Sequence, residues 1–225
     1  MDEFKLSPSD FAFLWQECKR CFYLKVARGF GRPQLPFPGI FGTIDGAMTA
    51  CYNGMRTEAI APGMPSGTVR FGQRWVRSRP IDVAAGAPTC YISGRFDSVV
   101  EFDDGTYGVI DFKTSTARGG HVRTYSRQLH AYAYALENPA PNQLALAPIT
   151  KLGLLIFEPS SFVHLSHEVV NLRGGLTWIE VPRDDAAFLD FLRQVVSVLS
   201  QPEPPEPARG CTWCEYRQAS RENDL

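Results

Sequence analysis

Two acids and a lysine on one short stretch carry the most chemistry in this sequence. Gly94-Arg95-Phe96-Asp97 leads into Val99-Val100-Glu101-Phe102, the turn Asp103-Asp104-Gly105 follows, and Tyr107-Gly108-Val109-Ile110-Asp111-Phe112-Lys113 returns. Two β-rich runs about a D-G turn predict an antiparallel hairpin. With the turn centred on Asp104, Asp97 lies opposite Asp111; with the turn one residue off centre they are diagonal neighbours, still able to share one divalent cation. Side chains alternate along a strand, so Asp111 and Lys113 point to one face, Ile110 and Phe112 to the other. Paired carboxylates of this kind hold Mg²⁺ or Mn²⁺ with water positions open. A nearby ammonium orients or helps deprotonate the attacking water, which is the arrangement phosphodiester hydrolysis needs. The competing reading is an exposed hairpin with ordinary surface charge, because G-x-x-D and D-x-K are short enough to recur by chance.

A second set of reactive residues brackets the chain. Cys18/Cys21 and Cys211/Cys214 are C-x-x-C pairs, the spacing that lets two sulfurs reach one metal centre, so four converging thiolates would suit zinc or a [4Fe–4S] cluster. Against this, the first pair falls on an amphipathic stretch where buried free cysteine is common. Cys51 and Cys90 read as plain core or surface residues.

The elements that must position these residues can be followed along the chain. Ser7 as N-cap, Pro8 at the first helical position and Asp10 at the third predict a helix start. Apolar residues at Phe11, Leu14, Trp15, Cys18 and Phe22 carry that helix to about Val26, before Gly29 and Gly31 end it. The Pro-rich text from Gly31 to Gly39 reads as a connection. A second helix is predicted over Ile40 to Tyr52, with Asp45 in its middle, closed by Asn53-Gly54. Glu58 to Pro88 carries no clear element; Arg70, Arg74, Arg77 and Arg79 there could follow a phosphate backbone or form a solvated face. Beyond the hairpin and a polar loop, a helix over Val122 to Glu137 places Gln128 and Tyr132 on one face, with Leu129, Ala133 and Leu136 left for packing. Leu152 to Phe157 reads as a buried strand, and Phe162 to Leu172 and Gly175 to Val181 as a further pair. Asp184-Asp185 opens a last long helix through Leu199. Gln201 to Pro207 is a stiff polyproline-like spacer leading to Cys211. This order predicts a mixed α/β core with helices against the sheet.

The chain's 225 residues suffice for one sizeable core. A hydrophobic content of 44% and charged content of 21% are ordinary for a globular chain, so disorder is not the default. The formal net charge of −1 demands no polyanionic partner, and any nucleic-acid contact must come from local basic patches. No apolar run approaches a membrane helix and the first residues lack the core of a signal peptide, so a cytoplasmic location is expected. There, six cysteines point to metal binding or burial and not to a disulfide framework.

Taken together, these residues resemble the PD-(D/E)XK nuclease superfamily, and within it the RecB-like group that includes AddB-type helicase-nuclease domains and CRISPR-adaptation exonucleases. Gly94 to Asp97 matches its G-x-x-D, Asp111-Phe112-Lys113-Thr114 its D-x-K-T, and Gln128 with Tyr132 its Q-x-x-x-Y. Ser7 to Leu24 is similar to the family's S-x-S…C-x-R-x-F-Y-L opening, and the closing helix, proline spacer and C-x-x-C-x-Y to its carboxy-terminal cluster segment. The resemblance implies a restriction-endonuclease-like α/β fold over residues 1–225, a central mixed β-sheet flanked by helices. Residues 1–28 and 201–225 are joined through Cys18, Cys21, Cys211 and Cys214.

It also implies a metal-dependent deoxyribonuclease, an exonuclease on single-stranded or end-bearing DNA in repair, recombination or CRISPR-type defence. A helicase or CRISPR adaptation proteins are the implied partners. Asp45, Asp97, Asp111 and the carbonyl of Phe112 are the implied Mg²⁺ or Mn²⁺ ligands. Lys113 would position water and stabilise phosphate charge, Gln128 and Tyr132 would support the site, and Arg95, Arg118 and Arg127 would touch DNA. A [4Fe–4S] cluster is implied for the cysteines, with zinc as the alternative. Two departures stand out. Asp45 occupies the helix position where relatives often carry His, a replacement a hard cation accepts. Ser220 stands where relatives have a further tail cysteine, and Cys21 can make up the count. A non-catalytic DNA-binding or partner-docking module that kept the fold is the alternative function. A zinc-stapled enzyme acting on a small molecule has little support, because no nucleotide-binding glycine loop is present.

Overall fold

The turn at Asp104-Gly105 pairs the chain in the expected register, with Ser98 opposite Ile110 and Val99 opposite Val109, and the molecule is built outward from that hairpin. The computed structural model describes residues 3–33, 38–116 and 120–223. Arg118 and the middle of the Pro-rich connection therefore lie outside the described residues.

In chain order the elements are β1 (Glu3–Leu6), α1 (Pro8–Ala12), α2 (Leu14–Glu17), α3 (Lys19–Arg28), α4 (Gly39–Tyr52), β2 (Gly67–Arg70), β3 (Trp75–Arg77), β4 (Thr89–Arg95), β5 (Ser98–Phe102), β6 (Tyr107–Thr114), α5 (Gly120–Glu137), β7 (Ile149–Ser166), β8 (Val169–Val181), α6 (Asp185–Leu199) and α7 (Thr212–Glu222). Five strands form a mixed sheet in the order β2-β5-β6-β7-β8, and three more form the order β1-β4-β3. β6 and β7 run parallel and the other pairs of the larger sheet antiparallel. β4 passes into β5 through a bend at Phe96-Asp97, so Asp97 sits where the chain crosses from one sheet to the other.

Helices cover both faces of the larger sheet. Val99, Val109, Leu152, Leu154 and Ile156 pack with α5, α6 and the amino-terminal helices, while Val100, Ile110, Phe112 and Leu155 pack against Met48 of α4, Ile60 and Met64. Alternation in β6 therefore sends Ile110 and Phe112 to one core and Asp111 to the α5 side. α6 buries Phe188, Phe191, Leu192, Val195, Val196 and Leu199, each contributing about 1.5–3 kcal/mol of apolar burial. The Asp184 side chain accepts from the Ala187 N–H at 2.9 Å and fixes its start. Among the described residues, no helix is long and apolar enough to cross a membrane.

Several expectations are corrected. The single helix predicted from Ser7 to Val26 is three helices, because Phe13 distorts the turn with φ −115° and ψ −72° and Cys18 leaves the helical path with φ −162° and ψ 109°. The three strands expected after Leu152 are two: the run expected as Phe162 to Leu172 contains the turn between β7 and β8, and its halves pair with each other. The tail beyond Cys211 is helical, and the segment Glu58 to Pro88 holds β2 and β3.

Candidate active site and cysteine centre

At the bend before β5 the Asp97 carboxylate replaces a backbone partner: its Oδ2 accepts from the Phe112 N–H at 2.8 Å. One residue earlier on β6, Asp111 is 2% exposed and its Oδ1 accepts from the Gln128 amide of α5 at 3.0 Å. Its Oδ2 is in ion-pair contact with the Lys113 Nζ, whose ammonium also lies 4.6 Å from the centroid of the Tyr125 ring. Tyr132, one turn beyond Gln128, donates to the Arg95 carbonyl at 2.8 Å and so fixes the end of β4. Gly94 is glycine for a steric reason. A Cβ there would come within 2.8 Å of Pro8 Cδ and 3.3 Å of the Tyr132 ring.

Asp45 reaches the same cleft from α4. Its Oδ2 accepts from the Gln73 side-chain amide at 2.8 Å, and its Oδ1 is buried with no hydrogen-bond partner. Gln73 itself has a left-handed backbone, φ 42°, and its N–H donates to the Asp97 carbonyl at 2.8 Å. This residue, in the segment where the sequence showed no element, ties two of the three acids together. No hydrophobic period or turn motif marks it.

The cleft has a volume of about 1280 Å³, and its lining includes Asp45, Asp97, Asp111, Lys113, Gln128 and Tyr132. Arg95 lies on its rim, as do Trp75, 66% exposed, and Phe13, whose ring stands edge-on to Tyr125 at 5.7 Å. Neither aromatic was singled out from sequence. Arg127 lies on the opposite side of α5, where it lines a cavity of about 560 Å³ against α6 with Arg123 and stacks on Phe191 at 4.2 Å. Its Nη1 is buried without a hydrogen-bond partner.

The electrostatics of the cleft favour a cation. Burial, then the Asp111 charge, pushes the Asp97 carboxyl well above the usual range, with Asp45 adding to the repulsion. Burial also raises Asp45. Burial works against the Lys113 charge, yet Asp111 and then Asp97 hold its ammonium above the ordinary lysine value. Three oxygen-donor acids that destabilise one another, with one carboxylate oxygen orphaned, fit a hard divalent cation. The phenol of Tyr132 is also raised, by burial first and by the two aspartates next.

The four cysteines expected to converge do so. Sγ···Sγ separations are 3.8 Å for Cys18–Cys214, 3.7 Å for Cys21–Cys211 and 3.6 Å for Cys21–Cys214, and all four sulfurs lie within 4.8 Å of one another. Among the described residues they form a group of ligand atoms close enough to hold one metal ion. Burial opposes ionisation of Cys18, but backbone donors from Ala208 and Cys21 bring it down to about 7. Burial pushes the Cys21 and Cys214 thiols up. The Arg32 guanidinium donates to Cys211 Sγ at 3.7 Å. The proline spacer beside this centre is held by its carbonyls: Tyr23 donates to Gln201, Arg28 to Pro202 and Arg20 to Pro205 at 2.8–2.9 Å. Cys51 is exposed and Cys90 buried, and neither belongs to this group.

Comparison with known proteins agrees with this architecture. The family model for the PD-(D/E)XK nuclease superfamily matches residues 53–219, from the end of α4 through α7. A solved structure described as "Crystal structure of SSO0001" superposes with a TM-score of 0.53 at 16% identity, covering 90% of this chain and 79% of that one, a likeness of fold. No curated protein matches the sequence. A mixed sheet between helices, a D-x-K strand held by a glutamine from the following helix, and a family match over most of the length agree, and the chain belongs to the PD-(D/E)XK nuclease superfamily.

Proposed function

We propose that this chain is a Mg²⁺- or Mn²⁺-dependent deoxyribonuclease, an exonuclease acting on single-stranded or end-bearing DNA. The observation that carries the reading is the convergence of Asp97, Asp111 and Lys113 on one cleft. Asp45, Asp97 and Asp111 would hold the ion together with the Phe112 carbonyl. The Phe112 N–H faces Asp97, and the N–H and C=O of one strand residue point to the same side, so its carbonyl is available there. A bound divalent ion supplies polarisation of the phosphate and acidifies its water. Lys113, whose ammonium contacts Asp111, would hold the attacking water and stabilise charge on the phosphate oxygens. Gln128 keeps Asp111 oriented, and Tyr132 keeps the Arg95–Asp97 bend in place.

Arg95, at the rim, would take a phosphate, and Arg127 would take one on the far side of α5. We assign the same role to Arg118. Exposed Trp75 and Phe13 favour single strands, whose unpaired bases can stack on aromatic rings. Action in repair, recombination or CRISPR-type defence, beside a helicase or adaptation proteins, follows from the resemblance alone. A cytoplasmic setting suits six free cysteines.

End-labelled single-stranded DNA, duplex DNA and RNA incubated with Mn²⁺, Mg²⁺ or EDTA test the assignment. Expected are progressive shortening of single strands in either metal and intact substrate in EDTA. DNA left intact in every metal contradicts the reading. Tight DNA binding under those conditions would favour the alternative, an inactive DNA-binding or partner-docking module that kept the fold.

A further inference from the structure

The four thiolates that join the chain ends are spaced for a different group from the [4Fe–4S] cluster implied by the resemblance. A single tetrahedral ion with metal–sulfur bonds of about 2.3 Å holds its sulfurs ~3.8 Å apart, the bond length times the edge-to-radius ratio of a tetrahedron. A cube of four irons and four sulfides places an iron in front of every thiolate and holds the thiolates ~6 Å apart. The observed separations of 3.6, 3.7 and 3.8 Å, with every pair inside 4.8 Å, match the single ion and leave no room for the cube.

The surroundings hold the sulfurs at that spacing. Cys18 and Cys211 are both N-caps with non-helical backbone, and Cys21 and Cys214 lie in the first turn of the helices that follow, α3 and α7. Two equivalent helix-start turns therefore meet face to face. The lacing of Tyr23, Arg28 and Arg20 to the proline spacer resists their separation. The sequence agrees: Cys18/Cys21 and Cys211/Cys214 form a two-plus-two set of C-x-x-C pairs, an arrangement common in structural zinc sites.

We propose that Cys18, Cys21, Cys211 and Cys214 hold one Zn²⁺ ion in tetrahedral thiolate coordination instead of a [4Fe–4S] cluster. Four thiolates around Zn²⁺ leave a net charge of 2−, towards which the Arg32 guanidinium, itself paired with Glu17, donates at Cys211 and backbone N–H groups donate near Cys18. Zinc does not change oxidation state, so the centre is a staple between the chain ends and not an electron carrier. Metal content reads this directly, and the inference stands or falls apart from the nuclease assignment.

The test is the full chain purified anaerobically from cells supplied with both iron and zinc, followed by elemental and sulfide analysis and zinc-edge X-ray absorption. Expected are a colourless protein with about one zinc per chain, no acid-labile sulfide and a sulfur-only shell near 2.3 Å. Cys21→Ser and Cys214→Ser should each lose the ion, and Cys51→Ser should keep it. About four irons and four sulfides per chain, a lone iron, no metal, or full zinc retained in Cys21→Ser overturns the proposal. If the ligand variants do not accumulate, the absorption spectrum of the native chain still decides.

Discussion

Lys113 and Asp111 set the charge balance of the cleft at the level of single residues. The ammonium partners Asp111, while Asp97 is driven towards its neutral form by burial and by that same neighbour. A divalent cation relieves both conditions, so Mn²⁺ or Mg²⁺ should raise the melting temperature. At a hundred times the dissociation constant the gain is about 2.7 kcal/mol. Asp111→Asn should abolish the shift seen by calorimetry; an undiminished shift would place the ion elsewhere. Gln73 supplies a second test. Its left-handed backbone is a strained conformation for a non-glycine residue, and its side chain orients Asp45. In Gln73→Gly the relief of strain offsets the lost hydrogen bond, so stability should change by less than ~1 kcal/mol. Turnover should fall about 10-fold with KM unchanged. A KM effect alone would assign Gln73 to substrate binding.

Among the elements, the junction of α1, β4 and α5 sets the bend that carries Asp97. Gly94→Ala would drive a methyl group into the Pro8 ring, and the resulting overpacking should cost about 1–3 kcal/mol in urea unfolding. A neutral result would mean that α1 yields freely and does not brace the site. Asp184→Ala, which removes the α6 cap, should cost about 1 kcal/mol. Elements with one dominant local signal were legible in the sequence: the hairpin register from its D-G turn, and α4, α5 and α6 from apolar spacing and end signals. What was not legible depends on partners far along the chain. β1 is a strand only because it lies parallel to β4, and β3 only because it pairs with Ser93 to Arg95. The breaks at Phe13 and Cys18 interrupt a run whose spacing alone reads as continuous helix. The β7–β8 turn at His167-Glu168 lacks glycine, which is why the run from Phe162 to Leu172 reads as one strand. At the site, Asp97, Asp111, Lys113, Gln128 and Tyr132 came from motifs. Gln73 and Trp75 did not, because the only evidence for them is where the chain's crossing between sheets puts them.

On the scale of the whole molecule, the cysteine centre closes a long loop, with Cys18 and Cys214 separated by 196 positions. A cross-link over that span restricts the unfolded chain by up to ~4–5 kcal/mol in the loop-closure picture. Cys214→Ser should therefore lower the urea midpoint substantially and spare β5 and β6, so that residual Mn²⁺ binding persists in the protein that remains folded. Loss of both together would mean that the clamp and the cleft fold as one unit. In the proposed account the two centres divide the work: thiolates would hold the ends of the chain, and carboxylates on the hairpin would hold the reacting ion. The most direct test of that division is the rate of Mn²⁺-dependent cleavage of a labelled single strand by the native chain, Asp111→Asn and Lys113→Ala. The account expects each variant to lose at least ~100-fold while keeping its zinc and its fold; cleavage at the native rate in either variant contradicts it.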